Sequence, residues 1–455
     1  VVPVELCAVV EGIHRVRQES VEQAMVFSFW RNCSQYVRRA MESGFFRNVA
    51  ITFTNRILLL GIGFVTSVIV ARVLGPEGRG AYAVAVAIGA IGVQFCNLGL
   101  HASNTYTVAK RPELLSTLVV NSAVVGIGVG GVVAAAVGLL FSLHPTLAPL
   151  HELLLWMSLC WLPFGLCYLL FQNLLLGIDE VRTYNQVELA TKILSVILIG
   201  AVILAGLVTA ETVFAVGLLA LGCGLVWTFV ILHRHAVHLV RPSFELFRES
   251  LGYSLRGYVA ALFAFVALRL DLLLIQYLLG VEQAGYYSVA VTLTDALYML
   301  PVTVGTILFP TLSGMCDDAQ RWRFSKRIAG VIGLVMTAIA VITSFGAGRL
   351  IQTLYGSAFQ PATAAFVWLL PGIVLLSVSS LLMNYLASIG MPPIVMYSSG
   401  IAAIANVALN LKLIPSLGIQ GASISMTVSA GIMLTIVLLY IQRHRLPASR
   451  WTLRQ

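Results

Sequence analysis

From residue 49 to residue 441 the chain is a succession of apolar runs separated by short polar stretches. Each run is about 20 residues long, enough to cross a hydrocarbon core of about 30 Å as a helix. Twelve spans are predicted, at roughly 49–71, 80–100, 116–141, 152–176, 185–207, 211–232, 251–278, 284–309, 327–346, 364–388, 393–415 and 420–441. A closed barrel is the other way to satisfy the backbone in lipid. It needs short alternating segments, which these continuous runs are not. The third run, VVGIGVGGVVAAAVG, is rich in small residues and permits close helix approach. The predicted fold class is an all-α polytopic membrane protein with about 12 transmembrane helices.

Residues 1–48 lack a span. The stretch from Val21 to Tyr36 has the pattern of an amphipathic helix on a membrane surface, and no signal-peptide pattern precedes it. Met41 stands just before the first span, so 1–48 reads either as a cytoplasmic or interfacial segment or as a mis-called start.

The polar breaks carry a repeat. At 69–85 the chain reads IVARVLGPEGRGAYAVA, and at 274–290 it reads LIQYLLGVEQAGYYSVA. At an offset of 205, Leu74, Gly75, Glu77, Gly80, Tyr82, Val84 and Ala85 meet Leu279, Gly280, Glu282, Gly285, Tyr287, Val289 and Ala290. A duplication is expected. The longest break, HRHAVHLVRPSFELFRES at 233–250, falls between the sixth and seventh spans. It divides the chain into an N-lobe (49–232), a cytoplasmic linker (233–250), a C-lobe (251–441) and a tail (442–455). Six spans per lobe make the repeat parallel, with its axis along the membrane normal.

Composition agrees with these spans: 59% of residues are hydrophobic and 10% charged, against roughly 25% charged in soluble domains. The net charge of +9 would suit nucleic acid, but the basic residues sit mostly in alternate loops. With the N-terminus inside, cytoplasmic segments hold 20 Lys and Arg and outer loops four (Arg72, Arg79, Arg349 and Lys412). Both termini are therefore expected in the cytoplasm of a cell membrane, and no nucleic-acid partner. Seven scattered cysteines show no CxxC or metal-like spacing, so neither disulfide, metal nor cofactor is expected.

Candidate chemistry lies where polar residues enter the spans, since a charge at mid-membrane costs roughly 2.5–3.5 kcal/mol on insertion scales. Arg56 lies in the first span, Gln94 and Asn97 in the second, and Arg256, Arg269 and Asp271 in the seventh. The eighth carries Ser288, Thr292 and Asp295, the tenth Ser380 and Asn384, and the eleventh Asn406 and Asn410. These stripes either line a shared cavity or make helix–helix contacts. Arg56 and Arg256 are near enough to a helix end to snorkel instead. Arg269 is deep. Asp271 is two residues on, about 200° around the helix, so another helix must satisfy it. Asp295 is either functional or bonded to a neighbouring Arg or Ser.

These residues carry a resemblance. ARVLGPEGRGAYAVA at 71–85 and RLDLLLIQYLLGVEQAGYYSVA at 269–290 resemble the first-to-second helix junctions of the two halves of polysaccharide flippases, in the multidrug/oligosaccharidyl-lipid/polysaccharide exporter superfamily. FQNLLLGIDEVRTYN at 171–185 and IPSLGIQGASISMTVS at 414–429 resemble two later junctions. The resemblance implies two pseudo-symmetric six-helix lobes around a central cavity that work by alternating access. It implies translocation of a lipid-linked oligosaccharide, typically on undecaprenyl pyrophosphate, across the cytoplasmic (inner) membrane for lipopolysaccharide O-antigen or exopolysaccharide synthesis, with a polysaccharide polymerase as a possible partner. By the same implication Arg56, Arg256 and Arg269 attract the pyrophosphate, and Asp271 and Asp295 pair the lobes or carry a coupling proton or sodium. Asn97, Thr292 and Asn384 are the expected polar lining, and Gly75, Gly80, Gly280 and Gly285 the expected gates or hinges.

Two other functions compete. A cation-coupled multidrug exporter of the same superfamily would favour carboxylates in its cavity, whereas here Arg outnumbers acid in the first and seventh spans. A membrane glycosyltransferase or polymerase would need a sizeable loop and paired carboxylates at an interface, and the sequence offers neither. A transporter rather than an enzyme is expected.

Overall fold

The computed structural model describes residues 44–236, 241–315 and 317–445. The amphipathic stretch expected at 21–36 lies outside them, as do parts of the linker and tail. The chain forms two compact units, Val1–Leu58 and Leu59–Gln455. Among the described residues the first holds the opening turns of one helix. The second holds all that follows.

The described chain is helical and contains no strand. In order, the helices are α1 (Gly44–Asn97), α2 (Leu100–Lys110), α3 (Leu115–Ala123), α4 (Gly130–Leu143), α5 (Glu152–Gly177), α6 (Val181–Leu204), α7 (Ala210–His235), α8 (Phe244–Leu279), α9 (Val281–Ser313), α10 (Asp318–Tyr355), α11 (Ala362–Ser388), α12 (Ile394–Leu417) and α13 (Ile419–Arg445). A π-helical stretch, Val124–Val129, joins α3 to α4. Ten helical stretches among the described residues are long and apolar enough to cross a bilayer. One of these, α1, is broken at Gly75 into two limbs, and the 36-residue α8 adds another. The result is a multi-pass membrane protein with the twelve segments of the hydrophobic pattern.

The breaks follow from local chemistry. Gly75 takes φ 69° and ψ −177°, a combination essentially restricted to glycine. Pro76 restarts the helix, its fixed φ suiting a first helical position. The predicted eight-residue turn at 72–79 is therefore a one-residue break. The repeat reproduces it: Gly280, at φ 96° and ψ 171°, separates α8 from α9. Polar caps close other helices. Ser243 accepts the Leu246 N–H at the start of α8, Asp317 accepts two N–H groups at the start of α10, and Thr209 and Thr212 form a capping box on α7.

Each lobe is built around one central helix. α5 packs against α2, α4 and α7, and α11 packs against α9, α10 and α13. In both α5 and α11 half of the most apolar window is buried, more than in any other candidate span. The small-residue run does what its composition predicted. A Cβ on Gly126 would fall 2.1 Å from Cys167 Sγ, and one on Gly138 would fall 2.5 Å from the Trp156 ring.

The lobes meet at two levels. At one, the repeat contacts itself. A Cβ on Gly80 would lie 1.9 Å from the Val281 carbonyl oxygen, and one on Gly285 would lie 2.0 Å from that of Pro76. Nearby, Gln276 Nε2 donates to the Pro149 carbonyl at 2.8 Å and Tyr277 Oη to that of Leu147 at 2.6 Å. At the other level, Tyr258 Oη donates to the carbonyls of Gln94 and Phe95 at 3.0 and 2.9 Å. There Ser254 Oγ donates to the Leu98 carbonyl at 3.1 Å, Asn121 Nδ2 donates to that of Ser243 at 2.9 Å, and Arg111 pairs with Glu249. Gly80 and Gln94 are separated along α1 by about 21 Å, from the 1.5 Å rise per residue. The charge pattern expects the Gly80–Gly285 level on the outer side.

Candidate functional site

Between the two levels lies a cavity of about 290 Å³. The second limb of α1 lines it with Arg79, Tyr82, Ala83, Val86, Ala87 and Ala90. α8 contributes Phe265, Arg269 and Leu272, and α9 contributes Tyr287, Ser288, Val291 and Thr292. The repeat governs this wall. Tyr82, Ala83, Val86 and Ala87 are the equivalents of Tyr287, Ser288, Val291 and Thr292, and all eight face the cavity.

Arg79 corrects the reading of the chain as a sequence, which counted it among the outer-loop cations. It is helical and 7% exposed. Its Nε donates to Ser288 Oγ at 3.2 Å, and its Nη2 donates to Ser67 Oγ at 3.0 Å and Thr292 Oγ1 at 3.3 Å. The Ser288 and Thr292 hydroxyls donate in turn to the carbonyls of Gly285 and Ser288. Their protons are thus spent on their own helix, and their lone pairs are left for the guanidinium. The Tyr82 ring lies 5.8 Å from the guanidinium carbon, within cation–π range. Among the described residues Arg79 has no acidic partner. The signal was present in the sequence: Arg79 shares a helical face with Tyr82, Ala83 and Val86, and its repeat equivalent is Ala284.

Arg269 lines the same cavity and donates from Nη2 to Asp295 Oδ2 at 3.2 Å, both side chains being about half-exposed. Its charge is thereby matched, so Arg79 supplies the net positive charge of the wall. Asp271, 2% exposed, faces away from Arg269, as the helical geometry required. Tyr287 Oη of α9 donates to its Oδ2 at 3.0 Å, and Asn410 Nδ2 of α12 to its Oδ1 at 2.6 Å. Asn410 Nδ2 also donates to Asn406 Oδ1 at 3.0 Å, while the buried Asn410 Oδ1 has no partner among the described residues.

The remaining candidates are distributed differently. Thr292 lines the cavity. Asn97 does not: it is wholly buried at the end of α1 and bonded to His101 at the start of α2. Asn384 donates to the Ser380 carbonyl and packs against Gly305 of α9, a helix–helix contact. Arg56 belongs to the unit 1–58 and is exposed. Arg256 lies on α8, its side chain outside the described residues. Gly75 and Gly280 form the two breaks, while Gly80 and Gly285 form the contact between lobes.

Comparison with known proteins agrees with this architecture. The chain has the fold of an inward-facing multidrug resistance MATE transporter of the MOP superfamily, with a TM-score of 0.70 at 12% identity over 84% of this chain and 94% of that one. It matches the lipid II flippase MurJ, inward closed conformation, with a TM-score of 0.66 at 14% identity over 87% of each. Among curated sequences it is 25% identical over 218 residues to the uncharacterized membrane protein MJ1068 of Methanocaldococcus jannaschii. It is 24% identical over 202 residues to the probable low-salt glycan biosynthesis flippase Agl15 of Haloferax volcanii. These two matches cover 46% and 44% of this chain and 43% of each relative. The sequence model of one family, described as polysaccharide biosynthesis protein, matches residues 45–316. That match takes in both LG…G junctions and the whole cavity wall, and by it the chain belongs to the polysaccharide biosynthesis protein family.

Proposed function

We propose that this protein is a flippase that carries a lipid-linked oligosaccharide across the cytoplasmic membrane by alternating access. The observation that carries the reading is the cavity wall: it holds two arginines, one of them paired with Asp295, between two duplicated lobes. Guanidinium stays charged when desolvated and donates paired hydrogen bonds to phosphate oxygens. A pyrophosphate-linked carrier suits such a wall. A cavity of about 290 Å³ holds the phosphoryl region and little more, so the lobes must part to admit a glycan, with the lipid tail remaining outside. Arg269 and Arg79 form the anion path. Asp271, with Asn406 and Asn410, would take a coupling proton or sodium, since a carboxylate lies beside an amide oxygen that has no partner among the described residues. The flippase assignment of the Haloferax relative supports the same class.

The test is complementation of a flippase-null strain scored for surface polysaccharide. The native chain should restore polymer and Arg269→Glu should not. Unchanged polymer with Glu at 269 removes that residue from the path. Failure of the native chain in hosts supplying several different lipid-linked glycans counts against the flippase reading.

A further inference from the structure

The duplicated wall is asymmetric where it is polar. On the α9 side it carries Ser288 and Thr292, while their equivalents on α1 are Ala83 and Ala87. On the α1 side it carries Arg79, while its equivalent on α9 is Ala284. One half has kept the donor and the other the acceptors, and the two meet across the lobe boundary at 3.2 and 3.3 Å. Arg79 is the residue before Gly80. The Ser288 hydroxyl is bonded to the carbonyl of Gly285. The bonds between the lobes therefore sit on the same helical turns as the glycine contact that closes this end.

We infer that Arg79 is a latch operated by the cargo: its bonds to Ser288 and Thr292 hold the Gly80–Gly285 end shut, and a phosphoryl anion in the cavity takes those donors and releases it. A hydroxyl gives the guanidinium a bond that is charged on the donor side alone, whereas a phosphate gives one charged on both sides and can take two parallel N–H donors at once. The exchange costs Arg79 no buried bond, because each lost hydroxyl is replaced by a better acceptor. The Tyr82 face keeps the guanidinium in place as the partners change. Nη1, which makes none of these bonds among the described residues, gives the anion a first point of attachment. The inference rests on an anionic carrier being the cargo, but its test needs no glycan.

Spin labels at Glu77 and Glu282, exposed repeat equivalents on the two lobes, report the separation by pulsed electron resonance in purified protein. Inorganic pyrophosphate should lengthen the distance in the native wall. Ser288→Ala with Thr292→Val should lengthen it without anion. Arg79→Gln should be long from the start, unresponsive, and at least tenfold weaker for pyrophosphate. Arg349→Gln, at an exposed arginine on α10 that does not line the cavity, should leave affinity unchanged. A distance indifferent to saturating pyrophosphate overturns the latch, as does a closed, normally responding Ser288→Ala/Thr292→Val pair. That pair decides the matter should Arg79→Gln fail to fold. A chain whose lobes respond to pyrophosphate but which never restores surface polysaccharide overturns the flippase reading alone. The reverse pair of results overturns the latch alone.

Discussion

Gly80 and Gly285, 205 positions apart and equivalent in the repeat, touch backbone to backbone where the lobes meet: a Cβ on Gly80 would stand 2.9 Å from the Gly285 nitrogen, and one on Gly285 would stand 3.1 Å from that of Gly80. The reciprocity is that of a two-fold axis, each surface meeting a copy of itself. Beside it, Val84 and Val289, and Ala85 and Ala290, are all wholly buried.

A methyl group at this contact should force the lobes apart. Gly80→Ala and Gly285→Ala each drive a carbon against a backbone carbonyl, which no rotamer change relieves. We expect destabilisation of about 1–3 kcal/mol, the usual cost of overpacking, together with raised labelling of a cysteine at Ala83. Gly63→Ala has open space around its new methyl and should be neutral or slightly stabilising. Thermal melting in detergent separates the two cases, and equal behaviour would remove the contact from the account.

The breaks at Gly75 and Gly280 lie in a backbone region that asparagine does not relieve, unlike the left-handed helical one. Gly280→Asn and Gly280→Ala should therefore be similarly harmful, each by about 1–3 kcal/mol. Recovery of stability with Asn alone would contradict this geometry.

The Arg269–Asp295 pair allows binding to be separated from pairing. Exchange of the two residues (Arg269→Asp with Asp295→Arg) should restore expression and melting temperature toward the native values while polymer output stays lost. Full recovery of output would mean that the pair only holds α8 to α9.

Asp271 is expected to act through its charge and not through packing. Asp271→Asn is nearly isosteric and should preserve folding while abolishing the dependence of transport on a proton or sodium gradient. Asn410→Ala removes a donor to the buried carboxylate, and loss of such a partner costs about 1–3 kcal/mol. Its melting temperature should fall more than that of Asp271→Asn, and the opposite order would argue against an ionised carboxylate.

At the other closure, Arg111–Glu249 is a half-exposed ion pair and should contribute below about 1 kcal/mol. Tyr258 bonds two carbonyls that end the second limb of α1. Tyr258→Phe should open this end more than Arg111→Ala does, read as faster labelling of a cysteine placed at Ala90. Equal rates would shift the seal to the ion pair.

Much of this was legible in the residues. Twelve apolar runs became twelve crossing segments, because a continuous apolar run satisfies its backbone in lipid as a helix. The 205-residue offset located the two breaks and the glycine contact. Asp271 had to look to another helix, and did. What hydropathy hid was Arg79: GPEGRGAY reads as a loop between two runs, yet Pro76 restarts the helix at once and carries Arg79 inward. Asn97 and Asn384 misled for the opposite reason, since a polar residue satisfied by a residue four positions along the chain looks the same in sequence as one facing a cavity.

The unequal furnishing of the two walls has a consequence for vectorial movement. With the repeat axis along the membrane normal, a vessel made from identical halves would carry each charge twice at the same depth, and a second arginine at Ala284 would face Arg79 across the seal and repel it. Here the unmatched charge of Arg79 lies one residue from the glycine seal, whereas Arg269 is already neutralised further in. In the proposed flippase, an anion drawn toward the free charge arrives beside the end expected to face outward.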